Sequence, residues 1–338
     1  MPNRIVCFGE LLLRLGAPGR QRLLQSAQLD VHVGGAEANV AVALARFGHE
    51  AAMVGRVPAN ALGEAAVGEL RRWGVDTRGV GQGPGRMGLY FLQTGALQRP
   101  SEVLYDRAHS AFALAAPESF DWNVLLAGAD AFHLSGVTPA LGPDTARAAA
   151  EAMAAARARG LKVSFDGNFR PRLWEAWAGD APGILRGLMA EADLLFADHR
   201  DIAVVLGRRF EQADPVARFR AAAEAAFDAF PGLARMCATH RQQRSVDHHA
   251  LGAWMAAREG GFHAAAPHEL VPIVDRIGTG DAFAAGVLHG RLLGWDDPAS
   301  LGFGLGAACL KHAQPGDFGL ADAAEVAAFV EGRCDVRR

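Results

Sequence analysis

The most informative segment of the chain reads Val274-Asp-Arg-Ile-Gly-Thr-Gly-Asp-Ala-Phe-Ala-Ala-Gly-Val-Leu-His-Gly290. Gly278 and Gly280 stand just ahead of a helical pattern in which Phe283, Gly286, Val287 and Gly290 share one face. Glycines at a helix start let the backbone turn so that several N–H groups point at one spot, and the helix dipole adds about half a positive charge there. The segment therefore predicts an anion hole built from backbone N–H groups.

Asp281 falls in the first turn of this predicted helix, and two roles fit that position. A carboxylate there can cap the free N–H groups, which is what most such aspartates do. Beside a phosphate-binding hole it can instead accept the proton of an attacking hydroxyl during phosphoryl transfer. The residues of this segment by themselves leave both roles open.

The composition excludes two further kinds of binding site. The 338 residues carry 34 basic and 37 acidic side chains, a formal net charge of -3 at pH 7, so no electrostatic surface for nucleic acid is indicated. Only two of the basic residues are lysines, Lys162 and Lys311. That excludes a phosphate-binding loop of the G-x-x-x-x-G-K-[ST] type, because its lysine is missing.

Short apolar runs alternate with longer segments of helical period along the chain. The predicted strands are residues 5–8, 51–54, 131–134, 163–165, 194–196 and 236–239. Buried-looking strands in alternation with helices predict an α/β fold in which helices cover both faces of a mainly parallel sheet. We expect residues 1–338 to form a single domain.

No segment predicts a membrane or export role. The apolar stretches fall short of the ~20 residues that span a bilayer, and the N-terminus lacks the pattern of a secretory signal. The four cysteines show no C-x-x-C pair, so neither a zinc cage nor a disulfide framework is predicted. We expect a cytoplasmic protein.

Two segments break the alternation of strands and helices. Residues 11–33 and 87–107 are richer in turns and alternating patterns than in helical period, and the segment Gly88-Leu-Tyr-Phe-Leu-Gln-Thr-Gly95 followed by Val103-Leu-Tyr-Asp106 predicts a hairpin. The two segments can pair into a small extra sheet. Such a sheet would be either a movable lid over a ligand cleft or an extension of the main sheet, and the spacing favours neither.

A second glycine pair places these features in a family. Gly34, Gly35 and Asn39 form a Gly-Gly-x-x-x-Asn element at another predicted helix start, and residues 278–286 read Gly-x-Gly-Asp-x-Phe-x-x-Gly. With both elements in this order, the chain resembles the ribokinase-like (PfkB) sugar kinases over essentially its whole length. The resemblance implies a three-layer α/β/α fold with a small β-sheet lid, Asp281 as catalytic base, and an anion hole at Gly278, Thr279 and Gly280.

Finer features resemble the 2-keto-3-deoxygluconate kinase branch of that family. They include Asp275-Arg-Ile-Gly278, Asp166-Gly-Asn-Phe-Arg-Pro-Arg-Leu-Trp174 and Lys311-His-Ala-Gln-Pro-Gly-Asp317. The resemblance implies that Arg170 holds a substrate carboxylate, a task that suits a planar guanidinium. It also implies a substrate site formed with Gly34, Gly35, Asn39, Tyr90, Tyr105, Arg107, Val137 and Asp317.

The nucleotide and metal sites depart from the general family pattern. Residues 239–245 resemble the Thr-x-Arg-x-x-x-Ser of some sugar-acid kinases, which implies nucleotide contacts at Thr239, Arg241 and Ser245, with Lys311 close by. The family's Asn-x-x-Glu element, which arranges Mg²⁺ through water, corresponds here to Asp198-His-Arg-Asp201. We therefore expect ATP and Mg²⁺ as cofactors, with Asp198 and Asp201 acting on the metal indirectly.

The resemblance implies an ATP-dependent kinase that phosphorylates the 6-hydroxyl of 2-keto-3-deoxygluconate. One alternative is a kinase of a neutral sugar, of the fructokinase or ribokinase type. Another is a catalytically silent sugar-binding protein on the same fold. A homodimer through the lid strands is a further expectation from the family.

Overall fold

The computed structural model describes residues 3–333 and contains 13 strands. They are β1 (Arg4–Phe8), β2 (Leu12–Gly16), β3 (Asp30–Gly34), β4 (Glu50–Pro58), β5 (Asp76–Gly83), β6 (Gly88–Gln93), β7 (Glu102–Asp106), β8 (Ala131–Ser135), β9 (Lys162–Asp166), β10 (Leu194–Phe196), β11 (Arg235–Ser245), β12 (His248–Ala257) and β13 (Gly261–Leu270). All six predicted strands are confirmed.

Eleven α-helices accompany these strands within the described residues. They are α1 (Ala36–Arg46), α2 (Ala61–Arg72), α3 (Trp122–Leu125), α4 (Pro143–Ala158), α5 (Pro171–Glu175), α6 (Ala181–Ala190), α7 (His199–Leu206), α8 (Pro215–Ala229), α9 (Thr279–Leu292), α10 (Asp297–Lys311) and α11 (Ala323–Val330). None of these helices combines the length and the apolar composition that a membrane span requires.

Nine strands form the main sheet in the order β13-β12-β11-β10-β9-β8-β1-β4-β5. In this order the strands from β11 to β5 pair in parallel, and β12 pairs antiparallel with β11 and with β13. After β1, the chain adds β4 and then β5 on one side of β1. It then crosses to the other side of β1, where it forms β8. The carboxyl ends of β1 and β8 therefore flank a topological switch point, where α/β sheets bind their ligands.

Two apolar cores lie on opposite faces of this sheet. Along β1, Val6 and Phe8 belong to one core and Ile5 and Cys7 to the other, as the alternation of a strand requires. Helices α4, α6 and α8 pack into the first core, and α1, α9 and α10 pack into the second. The three-layer α/β/α fold expected from the sequence is confirmed.

The two segments rich in turns form a separate four-stranded sheet in the order β3-β2-β6-β7, called here the lid sheet. The predicted hairpin is present as the antiparallel pair β6–β7, and β2 pairs with β6 in parallel. Its strands lie within or one residue beyond the two predicted segments. The lid sheet is thus a second sheet and not an extension of the main one.

Candidate active site

Two glycine-led helices, α1 and α9, begin at the same cleft. The residue before α1 is Gly35 with φ 143°, and the residue before α9 is Gly278 with φ 76°. A side chain at Gly278 would collide with the carbonyl oxygen of Asp317, and one at Gly35 with that of Glu10. Both positions therefore require glycine for their conformation and for the close approach of a neighbouring backbone.

The start of α9 carries the predicted anion hole. No side chain caps this helix, and the backbone N–H groups of Gly278, Thr279 and Gly280 donate to no acceptor among residues 3–333. The helix begins at Thr279, so Gly280 lies inside the first turn and not ahead of the helix as the sequence suggested. Free N–H groups at a helix start form a site for an anion.

Asp281 does not cap α9, so the capping interpretation is wrong. Its Oδ2 accepts a hydrogen bond of 2.6 Å from the Asn39 side-chain amide. Burial raises the pKa of Asp281 to about 7, and the neighbouring carboxylates of Glu37 and Asp317 contribute to the rise. A carboxylate with a pKa near neutrality, held in a cleft beside an anion hole, is suited to act as a general base.

Asp166, at the carboxyl end of β9, is a cleft residue that the sequence analysis did not assign. Burial raises its pKa well above the ordinary value, and the nearby carboxylates of Asp281 and Asp201 raise it further. The sequence does carry a signal for it, since Asp166 directly follows a buried parallel strand and opens the Asp-x-Asn-x-Arg motif. Three carboxylates in one cleft concentrate negative charge that a cation relieves.

One wall of the cleft joins the lid sheet to the body. Tyr90 on β6 donates a hydrogen bond of 2.7 Å to Oδ2 of Asp317. Burial raises the pKa of Asp317 to about 6, and the guanidinium of Arg14 opposes that rise. Gly34 lies behind Asp317, because a side chain there would overlap the carboxylate.

Arg14, on strand β2, is a second residue that the sequence analysis missed. It is 3 % exposed, its Nη2 donates to Asp275 at 2.7 Å, and its Nε lies 3.2 Å from Asp317. Asp275 also accepts the backbone N–H groups of Ile277 and Gly316. No motif signals this ion pair, because strand β2 and the anion-hole loop are distant in sequence.

Most of the predicted substrate residues line one cleft of about 740 Å³. They are Gly35, Asn39, Tyr90, Tyr105, Arg107, Val137, Arg170 and Asp317, together with Gly278, Thr279, Gly280 and Asp281. Arg107 is paired with buried Glu10 at 2.5 Å. Arg170 forms no ion pair within residues 3–333, so its guanidinium is free for an anionic ligand.

A second cleft of about 420 Å³ adjoins the first. Thr239 and Thr279 border both clefts, and Arg241 lines only the second. Two predicted nucleotide residues lie elsewhere. The Ser245 hydroxyl donates to Asp247, and the Lys311 ammonium, 1 % exposed, donates to the carbonyl of Gln314.

Asp198 and Asp201 form a capping box at the start of α7. Asp198 is also paired with Arg200 at 2.5 Å, which occupies the carboxylate expected to act on a metal. Burial raises the pKa of Asp201 to about 6, and Asp201 lines the larger cleft. Within the described part of the chain, no three acidic, histidine or cysteine side chains are placed to ligate a metal directly.

Comparison with known proteins identifies the family. Residues 2–320 match the sequence model of the pfkB family of carbohydrate kinases. The chain belongs to this family. It is therefore a phosphotransferase that acts on a sugar, and the kinases of its family use ATP as phosphoryl donor.

Relatives of this pfkB kinase include two curated proteins that align over nearly their whole length. A 2-dehydro-3-deoxygalactonokinase of Haloferax volcanii is 31% identical, covering 98% of each chain. A 2-dehydro-3-deoxygluconokinase of Bacillus subtilis is 27% identical over 98% of this chain and 97% of its own. The crystal structure of the 2-dehydro-3-deoxygluconokinase of Thermotoga maritima superposes with a TM-score of 0.91 at 39% identity, covering 98% of this chain and 100% of that one.

Proposed function

We propose that this pfkB kinase transfers a phosphoryl group from ATP to the 6-hydroxyl of a 2-keto-3-deoxy sugar acid, with 2-keto-3-deoxygluconate as its substrate. The observation that carries the proposal is Arg170, whose guanidinium lines the same cleft as Asp281 and forms no ion pair among residues 3–333. Arg170 lies close enough to influence the pKa of Asp281 and of Asp166. The relatives named for sugar-acid kinases support the same substrate class.

The groups in the cleft account for each part of the transfer. Asp281 takes the proton of the sugar hydroxyl, whose oxygen then bonds to the γ-phosphorus of ATP. The bond from that phosphorus to the bridging oxygen breaks, and ADP leaves with the electron pair. The N–H groups of Gly278, Thr279 and Gly280 stabilise the charge on the transferred group, which is the main catalytic contribution in phosphoryl transfer.

The acidic side of the cleft fits a divalent cation that accompanies the nucleotide. Burial raises the pKa of both Asp166 and Asp201, and the carboxylate of Asp201 adds to the rise at Asp166. Oxygen donors of this kind suit Mg²⁺, which keeps most of its waters and binds through one or two carboxylates. When bound, Mg²⁺ would neutralise phosphate charge, and Asp166 and Asp201 are the residues that would hold it through water, in place of the occupied Asp198.

A substrate panel tests the proposal. ADP release would be measured with 2-keto-3-deoxygluconate, its galactonate epimer, fructose and ribose. The Arg170→Met variant should raise KM for the acids by about 10- to 100-fold, because a charge-assisted bidentate pair is lost. Arg172→Met is the matched control, since Arg172 is exposed on helix α5, two residues after Arg170, and does not line the cleft.

The outcomes separate the alternatives. If the wild type turns over neutral sugars, and Arg170→Met loses as much activity on them as on the acids, the substrate is a neutral sugar and not a sugar acid. Sugar binding without ADP release from any substrate would indicate a catalytically silent protein.

The homodimer is a separate part of this proposal. Leu104 on β7 and Val31 on β3 are 44% and 59% exposed. The strand register places both on the face of the lid sheet opposite Tyr90 and Tyr105, where a partner subunit would cover them. Sedimentation velocity should give a dimer, and Leu104→Glu should shift it to the monomer. A wild-type monomer at micromolar concentration would contradict the dimer without affecting the catalytic proposal.

A further inference from the structure

The junction of the two clefts carries unpaired positive charge that the roles assigned so far do not use. Arg276 precedes the anion hole by two residues and lines the larger cleft. Arg241, on β11, lines the smaller one. Within residues 3–333 neither guanidinium donates a hydrogen bond to a carboxylate or forms an ion pair, and the buried Nε of Arg276 has no partner at all.

These guanidiniums lie close together in spite of their like charge. Burial, together with the charge of Arg241, lowers the pKa of Arg276 to about 10. Two buried histidines, His249 and His312, adjoin them, and burial together with both arginines lowers the pKa of each imidazole to about 4. The imidazoles are therefore neutral at physiological pH, and the positive charge of this cluster belongs to the two arginines.

The remaining charged groups nearby do not neutralise the pair. Arg200 borders both clefts and adds a third guanidinium, but Asp198 already balances it. Asp275, the residue before Arg276, is held by Arg14 and by two backbone N–H groups. A half-buried cation without a counter-ion costs free energy unless a ligand supplies the opposite charge.

We propose that Arg276, supported by Arg241, binds the polyphosphate of the nucleotide at the mouth of the anion hole and stays with the γ-phosphoryl group during its transfer. The inference deepens the proposed function and rests on its ATP chemistry. Arg276 lines the cleft that contains Gly278–Gly280, and Arg241 lines the adjoining cleft, which shares Thr239 and Thr279 with the first. A polyphosphate that extends from the smaller cleft to the anion hole therefore comes within reach of both arginines. A planar guanidinium pairs with two phosphate oxygens at once, and it supplies in this chain the positive charge that a lysine supplies in other phosphate sites.

The chemistry gives Arg276 a larger part in the transition state than in binding. As the bond between the γ-phosphorus and the bridging oxygen breaks, negative charge develops on the leaving oxygen and spreads over the transferred group. The N–H groups at the start of α9 face that group from the helix side. Arg276 adds a full charge at the nucleotide side, where the leaving oxygen departs.

The test compares Arg276→Met and Arg276→Lys with the wild type. ADP affinity would be measured by calorimetry without sugar, and kcat and KM with ATP and the best substrate of the panel. We expect Arg276→Met to weaken ADP binding by about 10-fold or more and to lower kcat by at least about 100-fold. Arg276→Lys should restore part of the ADP affinity and part of kcat, because lysine keeps the positive charge but lacks the planar guanidinium that pairs with two phosphate oxygens.

Arg244→Met is the matched control. Arg244 lies on the same strand as Arg241, is exposed, and is paired with Glu269 outside both clefts. The Arg244→Met variant should leave ADP affinity and kcat unchanged. The melting temperature without nucleotide distinguishes binding from a structural role: removing Arg276 leaves no carboxylate unpaired, so the melting temperature should stay within about 2 °C or rise.

Three results would overturn the inference. One is wild-type ADP affinity and kcat in Arg276→Met. Another is a selective rise of KM for the sugar acid with ADP affinity unchanged, which would assign Arg276 to the substrate carboxylate. The third is loss of folding in Arg276→Met and Arg276→Lys alike, which would make the residue structural. ADP binding needs no sugar, so a wrong sugar-acid substrate leaves this test intact.

Discussion

At the scale of single residues, the position of Asp281 shows why an aspartate in a first helical turn need not be a cap. The residue before α9 is a left-handed glycine, and the carboxylate turns to the amide of Asn39, 242 positions away in sequence, at 2.6 Å. The helix N–H groups thus stay free for an anion, and the proposed base, Asp281, stays beside them. The raised pKa of Asp281 predicts how the reaction rate and the stability of the protein depend on pH.

The rate should fall in acid with a single ionisation. Because the base must be deprotonated and the pKa of Asp281 is raised to about 7, kcat/KM should rise with a slope of one up to about pH 7 and then level off. Asp281→Asn should lower kcat by several orders of magnitude and keep ADP affinity within about threefold. A kcat/KM independent of pH between 5 and 8, or near-full turnover in Asp281→Asn, would remove Asp281 from this role.

The same carboxylate should make the folded protein less stable as the pH rises, whereas kcat/KM increases over that range. Its pKa in the folded protein, about 7, exceeds the ordinary value of 3.8, so the folded state binds the proton more tightly than the unfolded state. This contribution is fully present below about pH 4 and is lost as the pH rises to about 7. Asp281→Asn should therefore melt above the wild type at pH 8, and the difference should shrink at pH 5. An equal or lower melting temperature at pH 8 would contradict the raised pKa.

At the scale of elements, close packing of α9 against α10 fixes the anion hole in place. A Cβ at Gly286 on α9 would lie 2.7 Å from the Cα of Gly304 on α10, and a side chain at Gly304 would meet Val287 and the carbonyl of Phe283. Gly304 on α10 is thus a packing residue. Any added atom at this contact pushes α9, and with it the phosphate site, away from α10.

Gly286→Ala should lower the melting temperature by several degrees and reduce kcat, because overpacking costs about 1–3 kcal/mol. Gly302→Ala is the control on α10, where a Cβ meets nothing within 4 Å. It should be neutral or stabilising by up to about 1 kcal/mol, since alanine favours the helix. Equal effects of the two substitutions on the melting temperature would show that helix propensity, and not packing between α9 and α10, determines the change.

The ion pair of Arg14 joins the lid sheet to the body. Removing the guanidinium leaves Asp275 and Asp317 without their partner in a buried position, which costs about 3–5 kcal/mol. Arg14→Gln should lower the melting temperature and raise KM for the sugar more than that for ATP, since Asp317 and Tyr90 belong to the proposed sugar site. Arg78→Gln, which breaks an ion pair of an 83% exposed arginine, should change neither. A loss of ATP affinity alone would contradict this assignment.

At the scale of the whole molecule, the sequence predicted what local patterns determine. Strand and helix alternation predicted the main sheet, and the hairpin pattern of residues 88–106 predicted part of the lid sheet. The sequence did not predict contacts between distant segments. Arg14 pairs with Asp275 across 261 positions, and Arg241 comes close enough to Arg276 for its charge to lower the pKa of that guanidinium. No periodicity encodes such contacts, since they depend on how the elements pack.

The same long-range contacts predict that the chain unfolds as one unit. Both cores share β1 at the centre of the sheet, and helix α1, early in the chain, packs on α9 near its end. Neither half buries its apolar surface without the other, so a single domain spanning 1–338 should melt in one transition. Calorimetry, tryptophan fluorescence and loss of activity should coincide, with equal calorimetric and van't Hoff enthalpies. Two separated transitions, or a lid sheet that melts before the body, would divide the chain into independent units and contradict the single domain.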